Sequence, residues 1–160
     1  MKSITYGEIS FNKVCEKIKE YTEKDSEFEY VISVGTDSQS VDGYTKVVSV
    51  IALVRKSKGG IFFYDIKKVK NMKSLKQKIL KETQYSIELA SKVMDYILEN
   101  DINASLEVHV DIGHQGETKY LIKEIAGWVM ALGFKCCLKP DSYTSSGIAD
   151  KITKKGSKVC

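Results

Sequence analysis

The alternation of apolar and polar residues along the chain predicts five strands and four helices. In the first predicted strand, β-branched residues lead into a small, polar run. Short turns join it to two more strands, so we expect a three-stranded antiparallel meander. The later strands follow helices, which allows them to pair in parallel. The predicted strands are Tyr30 to Gln39, Val47 to Arg55, Ile61 to Val69, Leu106 to Ile112 and Phe134 to Lys139.

Apolar residues spaced three and four apart predict the helices. An N-terminal helix spans about 10–22, with Ser10 as its cap. A long helix is expected from about Ser74 to Asn100, with a buried stripe whose small members suggest close approach to the sheet. The last two helices are predicted at Thr118 to Leu132 and at Gly147 to about Lys154.

Two of the predicted strands lead into an aspartate, Asp37 in the first and Asp111 in the fourth. A carboxylate at the end of a buried strand is costly unless something binds it, and a divalent metal is one such partner. Taken alone, Asp37 fits a turn or a loop cap equally well. The second aspartate favours a shared site, because parallel neighbours would bring both carboxylates to one end of the sheet.

Composition adds few restrictions. The chain has 160 residues, 29% of them charged and 42% hydrophobic, with a formal net charge of +4. These values are typical of a globular protein, and the mild basicity permits binding to a polyanion. We find no apolar run of the ~20 residues needed for a membrane span and no secretory pattern, so the expected location is cytoplasmic. No cysteines form a C-x-x-C pair, and we interpret all of them as reduced thiols: Cys15, Cys136, Cys137 and Cys160.

The element order β-β-β-α-β-α-β-α and four short motifs carry a family resemblance. The motifs are GTDSQ, KET, HVDIGHQGETK and KPDSYTSSGIADK. With them the sequence resembles the ribonuclease H-like superfamily, and in particular a small bacterial family of the YkuK type. The resemblance implies an α/β fold with a mixed five-stranded sheet, a meander plus two parallel strands, flanked by helices. We expect one such domain over residues 1–160, with the N-terminal helix as an addition.

The resemblance also implies a nuclease site of four carboxylates that hold two Mg²⁺ or Mn²⁺ ions. They are Asp37, Glu82, Asp111 and Asp150. Two alternatives remain open. Glu88 competes with Glu82, although at about 100° per residue Glu82 flanks the buried stripe and Glu88 faces away from it. Asp141, which could also cap the last helix, competes with Asp150.

The implied function is a metal-dependent nuclease, a hydrolase acting on RNA, a hybrid or structured DNA. A non-catalytic nucleic-acid-binding module is the alternative, and the chain looks short for the two-domain ATPase branch of the superfamily. His114 could shuttle protons or remain an exposed loop residue, whereas His109 fits a structural role better. The lysine-rich stretch from Lys67 to Lys81 could contact phosphates or form a solvated face. The oligomeric state is left open.

Overall fold

A three-stranded meander forms the middle of the sheet in the computed structural model, which describes residues 1–56, 58–139 and 152. Its strands are rich in β-branched and aromatic residues, which favour extended backbone. The described residues form seven strands: Lys2–Ser3 (β1), Gly7–Glu8 (β2), Tyr30–Val41 (β3), Tyr44–Arg55 (β4), Gly59–Lys70 (β5), Ser105–His109 (β6) and Lys135–Cys137 (β7). They pair in the order β2-β1-β5-β4-β3-β6-β7.

The predicted fold class is confirmed, but the predicted number of strands is too small. Strands β3 to β7 correspond to the five predicted ones, and β1 and β2 extend the sheet beyond β5. These two strands pair through only Lys2 with Glu8 and Ser3 with Gly7. Two-residue strands are too short to show a period of two, so residue alternation could not have revealed them.

The meander is longer and its first turn tighter than predicted. Strands β3 and β4 pair antiparallel from Tyr30–Arg55 to Val41–Tyr44, so the turn is Asp42-Gly43 instead of residues 40–44. Gly43 has a φ of 77°, which glycine adopts without the strain of a side chain. Asp37 therefore lies inside β3, paired with Val48, and does not end the strand as predicted.

Strand β6 pairs parallel to β3, and β7 parallel to β6. The predicted fourth strand reached Ile112, but β6 ends at His109. Two backbone hydrogen bonds continue the contact with the segment after β7, from Val110 N to Cys137 O at 3.0 Å and from Lys139 N to Ile112 O at 2.9 Å. Asp111 is therefore held next to the sheet edge, just beyond the regular strand.

Three α-helices occur in the described ranges: α1 (Phe11–Lys24), α2 (Leu75–Glu99) and α3 (Ile122–Ala131). The predicted caps are confirmed, since Ser10 and Ser74 accept from the backbone N–H groups of Lys13 and Gln77. A 3₁₀ turn, Lys119–Leu121, occupies the start of the third predicted helix. No helix among the described residues combines the length and the apolar character required to cross a bilayer.

Helices α1 and α2 contribute to the main core, where their apolar stripes meet β3, β4 and β6. Helix α2 approaches β3 closely because Ser86 and Thr83 are small, and Ser86 Oγ lies 2.8 Å from Thr36 Oγ1. All six residues predicted for the α2 stripe are buried: Ile79, Thr83, Ser86, Ala90, Val93 and Ile97. This packing fixes the rotation of α2 and so decides which glutamate faces the sheet.

The other face of the sheet carries a smaller cluster built from Val48, Val50 and Ala52. Ile152 packs against it, and Lys46 Nζ donates to the Ile152 carbonyl oxygen at 3.2 Å. Ile152 is the one described residue of the predicted last helix. Asp150 and its alternative Asp141 lie outside the described residues.

Candidate functional site

Asp37 lies just beyond the point where β3 stops pairing with two neighbouring strands and pairs with one. The parallel pairing of β3 with β6 ends at Gly35–His109, two residues before Asp37, while the antiparallel pairing with β4 continues. The sheet therefore leaves an opening beside Asp37 on the β6 side. The residue is nevertheless only 9% exposed. A carboxylate in such a place needs polar or cationic partners.

Glu82 reaches the same place from α2 and is 7% exposed. Its Oε1 accepts two hydrogen bonds from Ser38, at 2.9 Å from the backbone N and 2.7 Å from Oγ. Burial raises the pKa of Glu82 to about 8; the Asp37 charge adds to the shift, whereas Ser38 and Lys78 oppose it. The alternative, Glu88, is exposed and accepts a hydrogen bond from Gln84 at 2.9 Å. Of the two glutamates, only Glu82 is buried and lines the same pocket as Asp37.

Asp111 approaches from the segment after β6 and is the most accessible of the three carboxylates. Its side chain is 40% exposed, and its Oδ1 lies 2.9 Å from Lys139 Nζ. Lys139 follows β7, so this ion pair joins the ends of the two parallel strands. Because the pair is accessible to solvent, we expect it to add little to stability and to exchange readily for another cation.

One pocket brings the three carboxylates together. Its wall also includes the loop that follows Asp111, which is the second half of the motif HVDIGHQGETK. The lining residues are Asp37, Leu75, Lys78, Ile79, Glu82, Asp111, Gly113, Gln115, Gly116, Glu117, Thr118 and Lys139. The proximity expected for Asp37, Glu82 and Asp111 is therefore present at the level of a shared pocket.

The donor chemistry of this pocket fits a hard divalent cation. All three candidate ligands are carboxylates, which suit Mg²⁺ and Mn²⁺ better than soft metals. Two of them, Asp37 and Glu82, are buried near each other, and the pKa of Glu82 is raised in part by the Asp37 charge. In the described part of the chain, the ligand atoms of Asp37, Glu82 and Asp111 do not all lie within 4.8 Å of one another. At least one of these side chains would therefore have to move before all three could bind one ion. Asp111 is the most accessible of the three, and its side chain would have to turn away from Lys139 to bind a cation.

A sequence model of the ribonuclease H-like family matches residues 13–154. The chain belongs to the ribonuclease H-like family. It is 35% identical to the "Uncharacterized protein YkuK" of Bacillus subtilis (strain 168), over 95% of each chain. A crystal structure of the prototype foamy virus protease-reverse transcriptase aligns with a TM-score of 0.42 and 14% identity. That alignment covers 84% of this chain but only 21% of the viral one.

Other side chains of this ribonuclease H-like chain clarify the remaining predictions. His109 is 3% exposed and its Nε2 lies 3.0 Å from Glu107 Oε2, which agrees with a structural role. His114 is exposed and is absent from the pocket wall. Ser38, which follows Asp37 in the GTDSQ motif, holds Glu82 by donating from its Oγ to Glu82 Oε1.

Two features of the site were missed in the sequence. Lys139 was placed at the end of a strand and at the start of the motif KPDSYTSSGIADK, and Lys78 in a basic stretch, but neither was predicted to be part of the carboxylate site; both line the pocket. Helical spacing carries a usable signal for Lys78, because residues four apart share a helix face and Lys78 precedes Glu82 by four. For Lys139 we see no local signal, since its pairing with Asp111 depends on the register of β6 and β7.

We expect Ser38→Ala to destabilise the protein by an amount that grows with pH. At pH 7 Glu82 is mostly protonated, so the lost hydrogen bond should cost ~1 kcal/mol of unfolding free energy. At pH 9 the carboxylate is charged, and the cost should reach ~1.5–3 kcal/mol. Urea unfolding at both pH values measures the effect. Ser40→Ala, at an exposed position of the same strand, is the matched control; an equal loss in both variants would contradict the role of Ser38.

Proposed function

We propose that this chain is a metal-dependent nuclease that hydrolyses phosphodiester bonds in RNA or structured nucleic acid, using two Mg²⁺ or Mn²⁺ ions. Membership of the ribonuclease H-like family supports a role connected with nucleic acid. The observation that carries the finer proposal is the shared pocket of Asp37, Glu82 and Asp111, in which two carboxylates are less than 10% exposed. A buried glutamate whose pKa is raised by burial and by the charge of a neighbouring aspartate is poorly suited to a purely structural role.

Asp37 and Asp111 would hold the ions in this proposal, with Glu82 contributing from α2 and Asp150 remaining a further proposed ligand. When bound, divalent cations supply Lewis acidity that activates water and stabilises charge on the leaving oxygen. The protein's own part is to keep these oxygens in place. Ser38 fixes the orientation of Glu82 through two hydrogen bonds to one carboxylate oxygen, so that the other oxygen remains for other contacts.

Lysines at the same pocket are suited to hold the phosphate backbone. Lys78 lines the pocket from α2, one helical turn before Glu82, and Lys139 lines it from the segment after β7. If Asp111 turned to a cation, Lys139 would lose its partner and could pair with a phosphate oxygen instead. Contacts of this kind are sequence-independent and should weaken with salt.

The proposal is tested by single-turnover cleavage of end-labelled RNA, RNA–DNA hybrid and branched DNA, with Mg²⁺, with Mn²⁺ and with EDTA. We expect metal-dependent cleavage of at least one substrate. Co-purification of activity with the protein through two different columns guards against a contaminating nuclease. Binding to these substrates without cleavage of any of them would reject the nuclease.

A non-catalytic nucleic-acid-binding module is the second candidate. Two observations favour it: the Lys139–Asp111 ion pair already neutralises one carboxylate, and the three carboxylates are not close enough to share one ion without movement. In this alternative the acidic pocket would be a remnant. The wild type should then bind nucleic acid equally tightly with EDTA and with Mg²⁺ and cleave none of the substrates in either, whereas a nuclease of the proposed type should cleave when the metal is present.

We expect Mg²⁺ or Mn²⁺ to raise the melting temperature of the wild-type protein and to have little effect on Asp37→Asn. A ligand at 100 times its Kd stabilises the folded state by ~2.7 kcal/mol, which corresponds to roughly 5–10 °C for a chain of this length. Differential scanning fluorimetry with a metal titration measures the shift. Asp95→Asn on α2, whose carboxylate is not part of the pocket wall, controls for loss of one negative charge. The absence of a shift in wild type would contradict metal binding at this pocket.

A further inference from the structure

A second group of side chains with metal-ligand chemistry joins the last two strands of the sheet. Glu107 and His109 lie two residues apart on β6 and so share one face, and Cys137 on β7 is the register partner of His109. Their ligand atoms all lie within 4.8 Å of one another, and they form the one such set found among the described residues. None of the three lines the pocket of Asp37, Glu82 and Asp111.

The spacing of the three donors is close to that of a tetrahedral metal site. Glu107 Oε2 lies 3.0 Å from His109 Nε2 and 3.4 Å from Cys137 Sγ. Zinc–ligand bonds of ~2.0–2.3 Å at tetrahedral angles place neighbouring donors roughly 3.3–3.8 Å apart. These two separations would need to increase only slightly, and the third pair of donors, on His109 and Cys137, lies within 4.8 Å. His109 is 3% and Cys137 7% exposed, and the Glu107 side chain is 17% exposed, so water has limited access.

The donor types also favour a particular class of metal. Thiolate and imidazole are poor ligands for Mg²⁺ and good ones for Zn²⁺, Co²⁺ and similar borderline ions. Burial by itself would raise the pKa of Glu107. Hydrogen bonds from His109, Lys135 and Cys137 outweigh burial and lower the pKa, which favours the carboxylate form that binds a metal. Lys135, which lies 3.2 Å from the other carboxylate oxygen, is 70% exposed and can remain there or swing into solvent.

Unpartnered polar atoms on the same face provide a second observation. Ser33, the register partner of Glu107 on β3, has a buried Oγ with no hydrogen-bond partner among the described residues. The Nδ1 atom of His109 is in the same condition. Buried polar atoms without a partner require an explanation, and a bound ion or water is one of them. A water on the proposed ion would serve Ser33 Oγ, whereas Nδ1 lies on the far side of the ring from Nε2 and is not explained by the ion.

We propose that Glu107, His109 and Cys137 bind one Zn²⁺-class divalent transition metal ion, with water as the fourth ligand, and that this ion fastens β7 to β6. Three protein ligands and a water are the set usual for catalytic zinc. Here the burial of His109 and Cys137 leaves little room for a substrate, so we assign the ion a structural role. The role is independent of the proposed nuclease. It concerns strand β7, which has only three residues and pairs with β6 alone among the described strands.

Metal binding releases one proton, from the thiol of Cys137, to solvent. Without the metal, Cys137 is a thiol, because burial and the Glu107 carboxylate raise its pKa to about 12. The bond from Sγ to the metal replaces the S–H bond, and that proton passes to solvent. Glu107 binds as the carboxylate. Without the metal, Nε2 of His109 carries the proton that it donates to Glu107. On binding, that proton passes to solvent and Nδ1 takes one from solvent, so His109 binds through Nε2 as a neutral ring and the net loss is the one thiol proton.

The test is a Co²⁺ titration of the full chain after removal of metal with a chelator under reducing conditions. We expect one equivalent of Co²⁺ to produce thiolate-to-metal charge-transfer absorption, and one equivalent of Zn²⁺ to displace it. Cys137→Ser should abolish this band. Cys136→Ser, on the adjacent residue outside the group, should retain it, and so should Asp37→Asn, since the carboxylate pocket has no thiol.

Glu107→Gln keeps the thiol and is the second variant if Cys137→Ser does not fold, as judged by circular dichroism. It should weaken Co²⁺ binding by at least ~10–100-fold, the loss usual when even an outer-shell partner is removed. The proposal is overturned if the wild type shows no charge-transfer band, if Cys136→Ser loses the band, or if Glu107→Gln binds Co²⁺ as tightly as wild type. Loss of the band in Asp37→Asn with retained folding would overturn the claim that this site is independent of the carboxylate pocket.

Discussion

Asp37→Asn should reduce metal-dependent cleavage by at least about 10³-fold while leaving nucleic-acid binding nearly intact. Removal of even one pre-organised polar contact to a transition state costs ~10²–10³-fold in rate. Asn keeps the shape and one oxygen of the side chain but loses the negative charge that is proposed to assemble two cations. Single-turnover cleavage of the best wild-type substrate, together with a filter-binding assay, separates the two effects.

Neighbouring variants make this prediction specific. Asp111→Asn should behave like Asp37→Asn, and Glu82→Gln should also be severe, because both carboxylates line the same pocket. Glu88→Gln should be close to wild type, since Glu88 is exposed on α2 and contacts Gln84. Cleavage that survives in Asp37→Asn at the wild-type rate would refute the proposed site. Equal losses in Glu82→Gln and Glu88→Gln would show that α2 does not contribute through Glu82.

Glu82→Gln should also change the pH dependence of stability. The pKa of Glu82 is raised from 4.5 to about 8 in the folded protein, so the folded state holds this proton more tightly than the unfolded state. Its contribution to stability is therefore complete below pH ~4.5 and is lost as the pH rises towards 8. A shift of this size corresponds to about 5 kcal/mol of unfolding free energy. A glutamine side chain cannot ionise, so the variant should not show this loss.

Urea unfolding between pH 5 and pH 9 measures the difference between wild type and Glu82→Gln. The two proteins should be similar at pH 5, whereas at pH 9 the variant should be more stable by several kcal/mol. Other titrating groups are common to both, so they cancel in the comparison. Glu88→Gln is the matched control and should follow wild type at every pH. If wild type and Glu82→Gln lose stability in parallel, the carboxyl group of Glu82 is not held in its protonated form.

Metal binding at the proposed site should reduce the loss of stability that accompanies rising pH. A cation that binds the Glu82 carboxylate competes with the proton, so saturating Mg²⁺ should reduce the loss of wild-type stability above pH 7. The same addition should leave the pH dependence of Glu82→Gln unchanged above pH 7, because that variant has no carboxylate at position 82 to titrate. The pH dependence and the metal dependence thus report on one group in two independent ways.

Local sequence patterns were sufficient to predict the arrangement of the main elements. Alternation within Tyr30 to Gln39 and helical spacing from Ser74 onward depend on local periodicity, and both were found where expected. The stripe on α2 also selected Glu82 over Glu88 for the sheet-facing side, because rotation about a helix axis is fixed by about 100° per residue. Element ends were less accurate, since the last residues of a strand depend on what pairs with them; β6 ends three residues before the predicted Ile112, and β3 extends past Asp37.

The polar contacts, in contrast, depend on how distant segments pack. Ser38 and Glu82 are 44 residues apart, and Glu107 and Cys137 are 30 apart. Nothing in the local pattern of either partner specifies the other, because such contacts depend on strand register and on the closeness of α2 to β3. The pairing of Lys139 with Asp111 has the same origin in the alignment of β7 with β6. Residue types could indicate a carboxylate site, but its protonation, its lysines and the separate group of Glu107, His109 and Cys137 arise from tertiary packing.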